Sequence, residues 1–271
     1  MRKKLEFPMR FWGALLVLLL IFQFSTAAEA SDCKFEKTIS LQLDLANSES
    51  LAIDARAGDL DIEGVSNSNM AEIEGHVCVS KESWLEDSHI NTSEGKQAKI
   101  KVDLPKESSG WSWTGNSYKY IDLTIKVPAD LELDVRDSSG DITMEYVGAV
   151  NLQDSSGDID IVHSAGPITI RDSSGDISVE HIGNDVTVES DSSGDIELED
   201  INGNALVERD SSGEITFEDI QGNAIVERDS SGSISAKSIG GDFRVDKDGS
   251  GSIDSRNVKG TVTKPLQKQH D

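Results

Sequence analysis

The chain has 271 residues, with 25 Lys and Arg against 50 Asp and Glu, a formal net charge of −25. A field of that sign and size repels polyanions, which excludes a nucleic-acid binder working by phosphate neutralisation and argues against docking on anionic lipid headgroups. It suits a soluble exported protein and raises the question of divalent cations.

Residues 1–30 read as a signal peptide. Arg2, Lys3, Lys4 and Arg10 make a basic start, and Phe11 to Phe24 is an uncharged apolar run, too short for a comfortable membrane span. Ala28-Glu29-Ala30 supplies the small-x-small pattern that precedes cleavage. A retained signal anchor is the rival reading. After cleavage no membrane span is expected, the net charge becomes −27, and Cys33 and Cys78 are the two thiols. Two cysteines in an exported chain pair as a rule, so a Cys33–Cys78 disulfide is expected, closing a loop of about 45 residues.

Residues 31–127 are expected to form an N-terminal β cap with the first coils. Phe35 to Leu45 and Met70 to Val79 alternate as strands. Leu51 to Ile62 reads strand, turn, strand, and its Arg56 to Leu60 corner is a degenerate form of the repeat that follows. Residues 81–118 read as a polar, Gly/Ser-rich aromatic excursion carrying Trp84, Trp111 and Trp113. These tryptophans either pack over the first coil or form a ligand platform for sugars and other flat surfaces. Tyr118 to Val127 alternates as a strand and runs into Pro128.

Residues 128–262 hold seven copies of one motif, Asp-Ser-Ser-Gly, then an acidic residue or Ser, then Ile. They start at Asp137, Asp154, Asp172, Asp191, Asp210, Asp229 and Asp248, the last with Gly249 in place of the first Ser. The spacing of 17–19 residues makes each copy one stacked unit. In the unit from Asp191, Ile196 and Leu198 alternate with acidic residues as one strand, Ile201 to Gly203 turns, and Ala205 to Val207 returns. Aliphatic residues recur in every unit at the Ile142, Ile159, Ile177, Ile196, Ile215, Ile234 and Ile253 position. The expected fold is therefore all-β, a single-chain β-solenoid of about seven 17–19-residue coils, with a β-sandwich as the runner-up. Residues 263–271 read as a disordered tail.

The Asp of each motif is expected to cap its own turn by accepting amides two and three residues on, with Gly taking the positive φ. Stacking would then place Asp137 to Asp248 in one column and Asp141, Asp158, Asp176, Asp195 and Glu214 in a second. Arg136, Arg171, Arg209, Arg228 and Lys247 precede the Asp in five copies and are expected to offset the repulsion. Calcium is the alternative use of these columns, through Asp154, Asp158, Asp172, Asp176, Asp191 and Asp195, although no calcium-binding spacing known for β-rolls or EF-hands is present. Otherwise no cofactor, metal or catalytic residue is expected. His76, His89, His163, His181 and His270 read as scattered, with no pair at ligand spacing, and no Gly-x-Ser-x-Gly, HExxH or phosphate loop occurs.

An early Gly-Asp-Leu-x-Ile strand (Gly58 to Ile62), Ile121 to Pro128, and the recurrent Ser-Gly-Asp-Ile coils together resemble the bacterial β-strand-repeat, putative-adhesin family of exported proteins, over about residues 35–262. The resemblance implies the solenoid architecture and carries no catalytic residues. The function expected is a non-catalytic envelope or cell-surface protein for adhesin-like binding or scaffolding, periplasmic or surface-exposed, with a protein or glycan partner in the envelope. A periplasmic regulatory or sensor partner of an envelope system is the alternative. A calcium-dependent polysaccharide-active enzyme is disfavoured by the absence of long loops and by the negative surface.

Overall fold

The computed structural model describes residues 33–106 and 117–265. The signal segment, Trp111, Trp113 and His270 lie outside them. The N-terminal part contains β1 (Phe35–Asp44), β2 (Ser50–Ala57), β3 (Leu60–Val65), β4 (Met70–Val79), the short α1 (Ser83–Asp87), β5 (His89–Ser93), β6 (Gln97–Asp103) and β7 (Lys119–Pro128). The repeats follow as β8 (Glu132–Ser139), β9 (Ile142–Glu145), β10 (Val150–Gln153), β11 (Ile159–Ser164), β12 (Ile168–Arg171), β13 (Ile177–Ile182), β14 (Val186–Ser190) and β15 (Ile196–Ile201). The last are β16 (Ala205–Val207), β17 (Ile215–Ile220), β18 (Ala224–Val226), β19 (Ile234–Ile239), β20 (Phe243–Val245), β21 (Ile253–Val258) and β22 (Val262–Thr263).

These strands form two eleven-stranded sheets, one running β1-β4-β7-β3-β9-β11-β13-β15-β17-β19-β21 and the other β22-β20-β18-β16-β14-β12-β10-β8-β2-β6-β5. Each coil gives one strand to each sheet and passes between them through the Asp-Ser-Ser-Gly corner. Successive coils pair parallel and in register, so that Ile159, Ile177, Ile196, Ile215 and Ile234 lie one over another. Alternation sends these side chains inward, and each is at most 1% exposed. Phe217 shares a coil with Ala224, and Ala236 shares the next with Phe243, so large residues on one sheet meet small ones on the other.

The chain order and the stacking order differ at the N-terminal end. β2 and β3 pair parallel with β8 and β9, so the degenerate corner at Gly58 stacks directly on Gly140. On the far side of that coil, β6 and β7 pair parallel with β2 and β3. The sheet ends beyond them are closed by antiparallel pairs, β1 on β4, β4 on β7 and β5 on β6. Part of the 81–118 stretch is thus ordered structure and not an excursion. Ala98, Ile100 and Val102 alternate with charged or polar neighbours and are at most 1% exposed, a strand signal masked by the surrounding lysines.

The drift from 17 to 19 residues has two sources. The first repeat lacks one residue at the corner between β9 and β10. From β14 onward, one residue is added before the motif Asp, where the pairing of β12 with β14 shifts from Ile170↔Val188 to Arg171↔Ser190. The bulge keeps the Asp facing inward in every coil. At the same corner Gly194 has φ +131°, and a Cβ there would lie 1.8 Å from the Gly175 carbonyl oxygen. Only glycine permits coils to approach that closely at a positive φ.

Candidate functional site

Three side-chain ladders run along the solenoid, and each follows from the register. The first is inside. Asp137, Asp154, Asp172, Asp191, Asp210 and Asp229 are 2–6% exposed. The Asp191 carboxylate accepts the Ser192 amide at 2.7 Å, Asp210 accepts those of Ser211 at 2.6 Å and Ser212 at 3.3 Å, and Asp229 accepts that of Ser231 at 3.0 Å. The self-capping is therefore to the next one and two amides, one residue earlier than expected. At least one buried oxygen of each of the six carboxylates has no hydrogen-bond partner. Desolvation pushes Asp137 and Asp210 up to about 7 and Asp191 up to about 6, against the pull of the adjacent Ser amides and with the push of Asp neighbours one coil away. Asp154, Asp172 and Asp229 are raised for the same first cause.

The second ladder is outside, on the residue after the corner glycine and, at its N-terminal end, on Asp122 of β7. The Oδ1 of Asp122, Asp59, Asp141, Asp158, Asp176 and Asp195 each accepts the backbone N–H of the next member, at 2.7–3.1 Å, ending at Glu214. Backbone amides, not the basic column, thus engage these acids. Arg171 pairs with Glu189, Arg209 with Glu208 and Arg136 with Asp134. The opposite corner repeats the device through Asp185, Asn204, Asn223 and Asp242, each capping the next coil's amide at 2.6–3.0 Å. The residues weighed for calcium therefore split: Asp154, Asp172 and Asp191 lie inside, and Asp158, Asp176 and Asp195 lie outside. Among the described residues, the carboxylates whose oxygens gather within 4.8 Å of one another are Glu199, Glu218 and Asp219.

The third ladder was hidden by the spacing of the histidines. Tyr146, His163, His181, Asp200, Asp219, Ser238 and Asn257 occupy one column, all at φ between 50° and 61°. Asp, Asn and His are the non-glycine residues enriched there, and Tyr146 and Ser238 are the unusual members of the column. The aromatic rings stack, Tyr146 on His163 at 4.9 Å and His163 on His181 at 4.8 Å between centroids. The histidines that read as scattered include two that stack, because the 18-residue separation of His163 and His181 is one turn of the coil. Tyr146 is 53% exposed. His181 lies between two acids, Nδ1 3.0 Å from Glu180 Oε1 and Nε2 3.8 Å from Asp200 Oδ2. Beside this column Glu180, Glu199 and Glu218 stack in register on the outer face of their sheet. Desolvation and the adjacent Glu180, Glu218, Glu197 and Asp219 raise the Glu199 carboxyl above its ordinary range, and Lys237 pairs with Glu218 at the end of the row.

At the N-terminal end, Cys33 and Cys78 form the expected disulfide, with Cα atoms 5.4 Å apart, and so tie the start of β1 to β4. Trp84 is 8% exposed, packs with the core, and has Lys81 and Lys119 over its ring at 4.2 and 5.2 Å. No described helix is long and apolar enough to cross a membrane.

An all-β solenoid of parallel coils, capped at one end by antiparallel strands, defines the class of protein. The sequence matches the family described as Toastrack DUF4097 over residues 95–263, and the chain belongs to that family. No curated protein matches it. Among solved structures, it is similar to a putative cell adhesion protein from Clostridium sporogenes ATCC 15579, with 14% identity and a TM-score of 0.43 over 85% of this chain and all of the other. A putative adhesin from Bacteroides fragilis NCTC 9343 matches at 16% identity and 0.41 over 84% and 96%. A putative lipid binding protein from Parabacteroides distasonis ATCC 8503 matches at 17% identity and 0.43 over 84% and 97%.

Proposed function

We propose that the chain is a non-catalytic exported protein of the cell envelope or cell surface that binds a partner through the long acidic face of its solenoid. The supporting observation is the straight row of Glu180, Glu199 and Glu218 in register, flanked by Asp200 and Asp219 in the neighbouring column. A rigid row of like charges at strand spacing is costly to keep unless its field is used, because each adjacent exposed pair repels by a few tenths of a kcal/mol to about 1 kcal/mol. Such a surface recruits a cationic partner by long-range attraction and fixes its register by the repeat distance.

The test is capture of partners from envelope extracts of the source organism on the immobilised chain, at low and high salt. Retention that is lost at high salt, and lost in the variant carrying Glu199→Lys and Glu218→Lys, is the expected result. Retention that survives both changes would place binding elsewhere on the molecule. Absence of any captured partner, with no envelope phenotype on deletion, would remove the proposal.

A further inference from the structure

The two ends of the solenoid are built differently. Antiparallel strands turn back over the N-terminal end, whereas β21 and β22 simply end their sheets at the other. Among the described residues no strand pairs with the outer edges of those two. The core columns run out there uncovered. Ile253 and Val258 are only half-buried, and Val262 is 43% exposed where Phe243, one coil back, is fully buried. Ser252 turns its carbonyl to β19, where it accepts the Ile234 amide, so alternation turns the amide and carbonyl of Ser255 to the free edge. Lys264 donates to the Ile253 carbonyl and leaves those two groups open. The acidic columns also stop short of this coil. Glu180, Glu199 and Glu218 give way to Lys237 and Arg256, and Asp200 and Asp219 give way to Ser238 and Asn257. The repulsion that holds chains of net charge −25 apart is therefore weakest at this end.

We propose that this end docks on the same end of a second copy, β21 antiparallel to β21, about a two-fold axis that passes through Ser255 perpendicular to the sheet. The pairing is self-complementary. It sets Asp254 of each copy opposite Arg256 of the other, and among the described residues neither side chain has an ion pair within its own chain. Opposite charges directly across an antiparallel pair attract, and like charges there repel. On the axis the two Ser255 residues form a hydrogen-bonded pair, each amide donating to the other's carbonyl. The core column narrows toward that point, from Phe217 through Ala236 to Ser255, so no bulky side chain stands in the way. The contact is small. A coil about 10 Å thick, with a six-residue strand about 20 Å long, offers roughly a few hundred Å² per copy, the class of weak, concentration-dependent interfaces. The axis keeps the acidic rows of both copies on the same face of one continuous sheet, so a partner meets two rows.

Sedimentation equilibrium of the disulfide-bonded chain, at concentrations up to 1 mM in 0.15 M sodium chloride, measures the association. The expected result is a monomer–dimer equilibrium with a dissociation constant of about 10 µM to 1 mM. Asp254→Arg and Arg256→Asp each set like charges opposite one another, and each is expected to weaken the dimer at least tenfold. An equimolar mixture of the two variants restores opposite charges at both positions and is expected to recover the wild-type association, which repair of a folding defect could not explain. Ser255→Cys is expected to form a covalent dimer on mild oxidation, because hydrogen-bonded antiparallel partners have Cα atoms about 5.5 Å apart, within disulfide reach. Ser178→Cys, in the middle of the same sheet, is expected not to. These positions are on the surface or at the open end, and an unchanged circular dichroism spectrum establishes that each variant folds. A chain that stays monomeric at 1 mM would overturn the proposal. So would a mixture of the charge variants that fails to associate, equal cross-linking of Ser178→Cys and Ser255→Cys, or growth beyond the dimer, which marks joining of β21 to the free edge of β1.

Discussion

Replacing Asp210 by Asn tests the buried ladder. Asp210 is 2% exposed, and desolvation raises its carboxyl from 3.8 to about 7. Because the folded value lies above the unfolded one, the native chain keeps this proton over a range in which the unfolded chain has lost it. The stabilising contribution is complete below about pH 4 and is lost as pH rises through about 7. Between pH 5 and pH 8 the loss is about 3 kcal/mol, at 1.36 kcal/mol per unit. Asn keeps the oxygen that accepts the Ser211 amide at 2.6 Å, but it has no charge to desolvate. Its NH2 group replaces the oxygen without a partner and costs about 1–3 kcal/mol if left unmet. That cost does not depend on pH, so the difference between variant and wild type isolates the ionisation. Thermal melts at pH 5 and pH 8 should show Asp210→Asn gaining on wild type by on the order of 10 °C across that range. A difference that stays constant with pH, or that moves in favour of wild type as pH rises, would refute the reasoning.

Gly194→Ala should destabilise by roughly 3 kcal/mol or more, since it combines φ +131° with a Cβ 1.8 Å from the Gly175 oxygen, and urea unfolding measures it. A loss below 1 kcal/mol would mean that the coils are not packed this closely. Removing the disulfide with Cys33→Ser and Cys78→Ser should cost about 2–4 kcal/mol for a closed loop spanning 45 residues, and reduction of the wild type should give a matching shift. Calcium should raise the melting midpoint no more than magnesium at equal concentration, because the outer carboxylates already cap backbone amides. A calcium-specific rise of about 5 °C or more would restore the reading of these columns as calcium ligands.

The coil was legible because stacking imposes its period on every column, and the aliphatic positions from Ile142 to Ile234 are where alternation places them. The direction of the motif Asp was not legible from a local turn rule. The rule treats Asp as a surface capper, whereas the bulge before Asp191 keeps it on the inward phase of the strand. Aligning the inward Leu152 and Ile170 with Asp154 and Asp172, two residues on, exposes the phase. The contact of His163 with His181 is not visible from spacing within one element, because in a solenoid neighbours are one coil apart. The reordering at the N-terminal end, where β6 and β7 stack outside β2 and β3, leaves no mark in composition, because a parallel pairing partner is chosen by the whole sheet.

In-register stacking of the coils is the basis of every ladder described here. Asp160, Ser178, Glu197, Thr216 and Ser235 occupy one outward column on successive coils. Spin labels introduced by Asp160→Cys and Ser235→Cys, with the native disulfide intact, therefore sit four strand spacings apart. Electron–electron double resonance should give a narrow distance distribution centred at about 20 Å. A distribution centred beyond about 30 Å, or one broad enough to span several coil registers, would contradict the stacked solenoid.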